Sequence, residues 1–102
     1  MSFSKSHLFD PADQITSSFA RVLSHPVRVD IIRYLAKTGS TSVENLTGHY
    51  PLAKSTISQH LEMMRKADIV DYKEVHPYIV YSLNQKTFEK LIVYIQDYLK
   101  AF

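Results

Sequence analysis

The chain has 102 residues, of which 22% are charged, a formal net charge of +2 at pH 7 and no cysteine. A chain of this length is expected to form one domain with a single modest core. The lack of cysteine excludes disulfides and thiolate metal sites, and the small charge of mixed sign leaves no block suited to binding polyanions. No run of residues is long and apolar enough to span a membrane, so we expect a cytoplasmic protein with no membrane partner.

Prolines and a glycine divide the first part of the chain. Residues 1–10 are expected to form a flexible tail. Pro11 and Pro26 each begin an amphipathic helix, and Gly39 ends the second one. The predicted inward faces of these two helices are Ile15, Phe19, Val22 and Leu23 in the first, and Val27, Ile31, Ile32 and Leu35 in the second.

A short third helix is predicted after Gly39. The residues from Thr41 to Glu44 have the spacing of a capping box, and Ser42 is an alternative cap. The inward residues of this helix are predicted to be Leu46 and Tyr50.

The next segment, 51–66, has two faces of different chemistry. Ile57, Leu61 and Met64 recur at helical spacing and predict a buried stripe. Short hydrogen-bonding side chains crowd its N-terminal end, which is the end that a helix-turn-helix protein presents to base edges in the major groove. A solvated face without specific function is the alternative. The predicted outer stripe consists of Thr56, Gln59, Met63 and Lys66.

The apolar pattern then changes its period. Residues 69–75 and 79–83 are rich in β-branched and aromatic side chains and flank His76-Pro77-Tyr78, which predicts a β-hairpin with Ile79, Tyr81 and Leu83 on one face. The helical period returns near Gln85. The pattern predicts a mainly α fold with a small β-hairpin, a winged helix-turn-helix with terminal dimerisation helices. Its predicted parts are a helix-turn-helix at 42–67, a wing at 69–83 and a dimerisation helix at 85–102.

The two terminal helices carry more apolar residues than one small core needs. A two-fold homodimer interface would cover the surplus, and the alternative is that both helices complete the core of the monomer. The predicted interface residues are Phe19, Leu91, Ile95, Tyr98, Leu99 and Phe102.

Three parts of the chain, at 19–35, at 55–61 and at 67–70 together with 78–84, resemble the ArsR family of winged-helix transcriptional repressors. The first contains a Pro-x-Arg signature at 26–28, the second resembles the recognition helix, and the third resembles the helix end and the wing. The resemblance implies a dimer that places its two recognition helices in successive major grooves of an inverted-repeat DNA operator. The DNA-binding residues assigned on this basis are Lys54, Ser55, Thr56, Ser58, Gln59, His60, Lys66 and Lys73.

Several positions allow two roles or depart from the family pattern. His60 lies between the inward and outward stripes and either reads DNA or packs, and Arg28 forms an ion pair or contacts a phosphate. Ala53 stands where the family prefers a capping serine. The missing side-chain cap is expected to lower the stability of the helix by about 1 kcal/mol. Asp68 replaces a glycine, and aspartate tolerates the left-handed backbone better than most residues. The wing tip, residues 73–78, carries one lysine and one glutamate where the family has several arginines.

The metal ligands of the family are missing from this sequence. No cysteine is present and residues 87–102 contain no histidine, so we expect neither a metal nor another cofactor. A metal bridging two subunits through His7 or His76 is a weak alternative, because lone histidines are poor metal sites. The effector stays open between a small apolar molecule near Tyr94 and Tyr98, a protein, or none.

The sequence also bears on two other functional classes. A winged-helix module that docks a protein through Tyr72, Tyr78 and Tyr81 is the alternative to DNA binding. An enzyme is not expected, because the sequence has no glycine-rich phosphate loop and no nucleophile, histidine and carboxylate at a suitable spacing.

Overall fold

The structure, a computed structural model, describes residues 8–102. The predicted order of helices and hairpin is confirmed, while most of the predicted tail, including His7, lies outside the described residues. The elements are α1 (Pro11–Val22), α2 (Pro26–Thr38), β1 (Ser40–Ser42), α3 (Val43–Thr47), α4 (Lys54–Lys66), β2 (Val70–Val75), β3 (Tyr78–Leu83) and α5 (Gln85–Leu99).

The beginnings of the helices follow from local hydrogen bonding. The carboxylate of Asp10 accepts a hydrogen bond from the Ala12 amide at 2.7 Å, directly before the proline that begins α1. The Ser42 hydroxyl caps α3 by accepting from the Asn45 amide at 3.1 Å. The alternative cap, Ser42, is therefore right, while the Thr41 hydroxyl donates to the Ser42 carbonyl and accepts from the side-chain amide of Asn45. No side chain caps α4, whose N-cap is Ala53.

The sheet has three strands, one more than the predicted hairpin. Strand β1 pairs antiparallel with β3, which also pairs with β2, so the order is β1-β3-β2. The Ser-Thr-Ser sequence of β1 is too short and too polar to show an alternating pattern. Tyr78 is already the first residue of β3, and Ile79 is exposed whereas Tyr81 and Leu83 are buried.

The core lies between the five helices and the base of the sheet. The predicted stripe of Ile57, Leu61 and Met64 is confirmed, since all three side chains are fully buried. Met63, which was predicted to face outward, is partly buried against this core. The predicted inward Leu46 is also fully buried. Tyr50 lies beyond the end of α3, half-buried, and donates a hydrogen bond to Asp30 at 2.6 Å.

The turn after α4 adopts the conformation predicted for it. Asp68 has a φ of 63°, in the left-handed region. Its amide donates to the carbonyl of Arg65, and the amide of Ile69 donates to the carbonyl of Met64, both at 2.9 Å. This is the Schellman arrangement, which satisfies carbonyls at a helix end. Ile69 is fully buried directly after the turn, so the end of α4 is fixed in the core.

The packing of α1 against α5 changes two of the predicted interface residues. The rings of Phe19 and Phe88 meet edge to face with centroids 5.8 Å apart. Phe19 is 5% exposed and Leu91 is 8% exposed, so both side chains complete the core of the monomer. Helix α5 ends at Leu99 and not at residue 102. The C-terminal half of α5 extends past its contact with α1. Within residues 8–102, nothing covers the apolar side chains there, and Leu99 is 59% and Phe102 86% exposed.

Candidate DNA-binding surface

The N-terminal turns of α4 present the predicted DNA-binding side chains. Lys54, Ser55 and Gln59 are exposed, while Thr56 and Ser58 are half-buried. Because Ile57 and Leu61 are anchored in the core, these polar side chains stand on a helix whose rotation is fixed. Together they offer hydroxyl, amide and ammonium groups on one continuous surface, which is the chemistry that reads base edges and phosphates.

Lys54 already has an anionic partner in the free protein. Its Nζ lies 2.6 Å from a carboxylate oxygen of Glu44, a residue of α3 that the sequence did not indicate. The hydrogen bond from Lys54 lowers the pKa of the Glu44 carboxyl below its usual range. In the free protein, the Lys54 ammonium is thus paired with Glu44 and not with solvent alone.

The C-terminal turns of α4 are connected to the wing through Arg65. Its Nε and Nη2 donate to the two carboxylate oxygens of Glu62 at 2.8 and 2.6 Å. The guanidinium carbon also lies 5.5 Å from the centre of the Tyr72 ring in β2, within the range of a cation–π contact. The hydrogen bond from Arg65 lowers the pKa of Glu62. The guanidinium of Arg65 is thus held by Glu62 and Tyr72, whereas the side chain of the neighbouring Lys66 is exposed.

His60 and Arg28 contact each other, and both side chains are half-buried. Nη1 of Arg28 lies 3.3 Å from Nδ1 of His60, and Nε of Arg28 donates to the Val22 carbonyl at 2.8 Å. The ring of His60 packs against that of His25, with centroids 4.4 Å apart. The packing role considered for His60 is the one that this geometry favours. Arg28 binds carbonyl oxygens at the end of α1, and no ion pair of Arg28 occurs among residues 8–102.

The wing is only weakly basic. Lys73 is exposed on β2 between the exposed acidic residues Asp71 and Glu74. Two of the tyrosines considered for protein docking, Tyr72 and Tyr78, are exposed. Tyr81 is buried, which raises the pKa of its hydroxyl, so it is not part of a docking surface.

In the described part of the chain, no three histidine, aspartate or glutamate side chains come together in a way that could hold a metal ion. Between residues 8 and 102, no helix has the length and apolarity needed to cross a bilayer.

Two helices joined by a tight turn, followed by a hairpin that packs beside the second helix, define a winged helix-turn-helix protein. Comparisons with known proteins agree with this class. Residues 25–72 match the model of the arsR family of bacterial regulatory proteins. Over these residues the chain is similar to the ArsR family, whose members are transcriptional regulators, and a DNA-binding transcriptional regulator fits both this match and the fold.

Named relatives are similar over most of this chain. It is 28% identical over 81 residues to the HTH-type transcriptional regulator YgaV of Escherichia coli, covering 79% of this chain and 82% of YgaV. It is 25% identical over 79 residues to the transcriptional repressor SdpR of Bacillus subtilis, covering 78% and 87%. The crystal structure of Rv0081 from M. tuberculosis superposes with a TM-score of 0.69 at 25% identity, covering 91% of this chain and 94% of Rv0081.

Proposed function

We propose that the protein is a homodimeric repressor that acts in the cytoplasm by binding an inverted-repeat DNA operator through α4. The observation that carries this proposal is the exposed polar surface at the start of a helix whose opposite face is fully buried. Such a helix enters the major groove with its N-terminal residues toward the bases. SdpR, which is similar over most of this chain, is named a transcriptional repressor.

The proposed contacts divide by chemistry. Gln59 carries an amide that can form two hydrogen bonds with adenine, and Ser55, Thr56 and Ser58 carry hydroxyls that suit bases or phosphates. Lys54, Lys66 and the wing residue Lys73 would contact phosphates.

The proposed dimer rests on two observations. A net charge of +2 gives a single chain few phosphate contacts, and two chains double that number. The C-terminal half of α5 and the residues after it expose apolar side chains, as expected of an interface. Phe19 and Leu91 support this helix from within the monomer, so the proposed contact set is Ile92, Ile95, Tyr98, Leu99 and Phe102. A small apolar effector beside Tyr94 and Tyr98 is one proposed means of control.

Selection from a pool of random DNA duplexes tests the proposed function. We expect enrichment of an inverted repeat with half-site centres about 34 Å apart, one helical turn, and affinity that falls steeply with salt. Failure to enrich any sequence at low salt would contradict sequence-specific binding and would favour the protein-docking alternative.

Gln59→Ala should reduce the discrimination between operator and random DNA. The expected loss is about 1 to 3 kcal/mol, the value of a bidentate contact to a base. Competition titrations with both DNAs measure it. Gln85→Ala removes an equally exposed glutamine on α5 and should leave discrimination unchanged. Unaltered discrimination in Gln59→Ala would remove Gln59 from the base-reading set.

Lys66→Ala should weaken binding to all sequences alike. If Lys66 neutralises one phosphate, the slope of log affinity against log salt becomes shallower by about 0.9. Titrations at several salt concentrations measure the slope, and Lys37→Ala, at an exposed lysine near the end of α2, is the control. An identical slope for Lys66→Ala and wild type would show that Lys66 is merely solvated.

A further inference from the structure

A cluster around Arg28 connects α4 to the two helices before the helix-turn-helix. Nε of Arg28 donates to the carbonyl of Val22 at 2.8 Å, at the end of α1. Nη2 donates to the Arg21 carbonyl at 3.1 Å and to the Ser24 hydroxyl at 3.3 Å. The remaining nitrogen, Nη1, reaches Nδ1 of His60 on α4 at 3.3 Å. One side chain of α2 therefore holds both the end of α1 and the recognition helix.

The chemistry of these partners indicates which ring nitrogen of each histidine accepts a hydrogen bond. A guanidinium can only donate hydrogen bonds, so Nδ1 of His60 accepts and the ring is neutral with its proton on Nε2. Nδ1 of His25 accepts from the Val27 amide at 3.2 Å and caps α2, so this ring also carries no proton on Nδ1. The ring centroids are 4.4 Å apart, and adding a proton to Nδ1 of His60 would remove its hydrogen bond with Arg28.

The surroundings of His60 disfavour its charged form. Burial lowers the pKa of His60, and the nearby His25 and Arg28 lower it further. Arg28 on α2 and His25, directly before α2, are the titratable and charged side chains that face His60. The end of α1 contributes carbonyl oxygens that accept hydrogen bonds from Arg28. An unfolded histidine has a pKa of about 6.5. The folded protein therefore begins to lose stability as the pH falls below that value, and the loss grows until the pH is below the pKa of His60 in the folded protein.

We propose that His60 is a positioning residue for DNA recognition, which in its neutral form accepts a hydrogen bond from Arg28 and holds α4 in the orientation that binds the operator. Protonation of His60 replaces this hydrogen bond with a repulsive contact and loosens α4 from α2 and from the end of α1. The inference rests on the proposed DNA-binding function and adds a dependence on pH to it.

The direction of the pH effect separates this role from a direct DNA contact. A histidine that touches a phosphate gains a positive charge on acidification, and the affinity for DNA then rises. A histidine that positions the helix loses its acceptor on acidification, and the affinity then falls. The two roles considered for His60 therefore predict opposite results.

The test compares wild type with His60→Asn and His49→Asn. The Oδ1 atom of asparagine takes the place of Nδ1 and accepts from Arg28 without titrating. His49 is an exposed histidine whose ring lies 5.1 Å from that of Tyr34, away from the Arg28 cluster, so the same substitution there is the matched control. Operator affinity is measured by fluorescence anisotropy at about pH 7.5 and about pH 5.5, on either side of the histidine range, at constant salt.

We expect wild type and His49→Asn to lose about two- to fivefold in operator affinity on acidification, because a lowered pKa leaves His60 only partly charged at about pH 5.5. For His60→Asn we expect a change of less than about 1.5-fold, because the acceptor stays in place. An affinity of wild type that rises or stays constant on acidification would overturn the proposal. An equal loss in His60→Asn and wild type would overturn it as well.

Hydrogen exchange of the α4 amides tests the same contact without DNA. After correction for intrinsic exchange rates, protection of these amides should fall about two- to fivefold in wild type between the two pH values and stay constant in His60→Asn. Equal changes in both proteins would contradict the positioning role. If wild type binds no DNA at either pH, the proposed function fails, and the exchange result still decides whether His60 holds the helix.

Discussion

Leu99→Glu is expected to convert the protein into a monomer and to lower operator affinity at least about 100-fold, because linked binding of two half-sites is lost. The charge would be desolvated in an apolar interface in the dimer. Leu99 is 59% exposed in the single chain, so the folded monomer should tolerate the change. Light scattering gives the mass, and DNA titration gives the affinity.

Gln85→Glu is the control for this prediction. It adds the same charge to the same helix at an exposed position, and the protein should remain a dimer. A Leu99→Glu protein that stays dimeric would show that the C-terminal half of α5 is not the interface.

Leu61→Ala is expected to lower the free energy of unfolding by about 3 kcal/mol, within the range of 2 to 5 found for such truncations. Leu61 is fully buried between α4 and the rest of the core. The cavity left by the truncation removes contacts on a helix that must keep its orientation to bind DNA. Urea unfolding followed by circular dichroism measures the change.

An exposed leucine provides the comparison for Leu61. Leu8 is 64% exposed, and Leu8→Ala should change the free energy of unfolding by less than about 0.5 kcal/mol. A loss below about 1 kcal/mol in Leu61→Ala would mean that the core closes around the missing side chain more completely than buried leucine sites usually do.

Periodicity predicted the elements that one helix or strand encodes by itself. The spacing of Ile57, Leu61 and Met64 was sufficient to identify the buried face of α4, and all three are fully buried. It could not show which neighbour covers an apolar face. Phe19 and Leu91 were therefore assigned to an interface between chains, although they fill the core of one chain.

Contacts between distant parts of the chain carried no local signal. Arg28 and His60 are 32 residues apart, and Glu44 and Lys54 lie on different helices. A hydrogen bond between such residues depends on how the helices pack, which a spacing rule within one element does not describe. The strand β1 was missed for a related reason, since it exists through its pairing with β3.

The ion pair between Lys54 and Glu44 bears on how the protein would search a genome. In the proposed DNA complex, a phosphate contact of Lys54 at any sequence would require the loss of the same carboxylate partner, which lies at 2.6 Å in the free protein. This loss weakens the sequence-independent part of binding, while base contacts remain unaffected. The protein would then leave random DNA sooner and spend less of its time on the large excess of competing sites. Through its ion pair with Lys54, Glu44 would thus favour rapid dissociation from random DNA over tight binding to it.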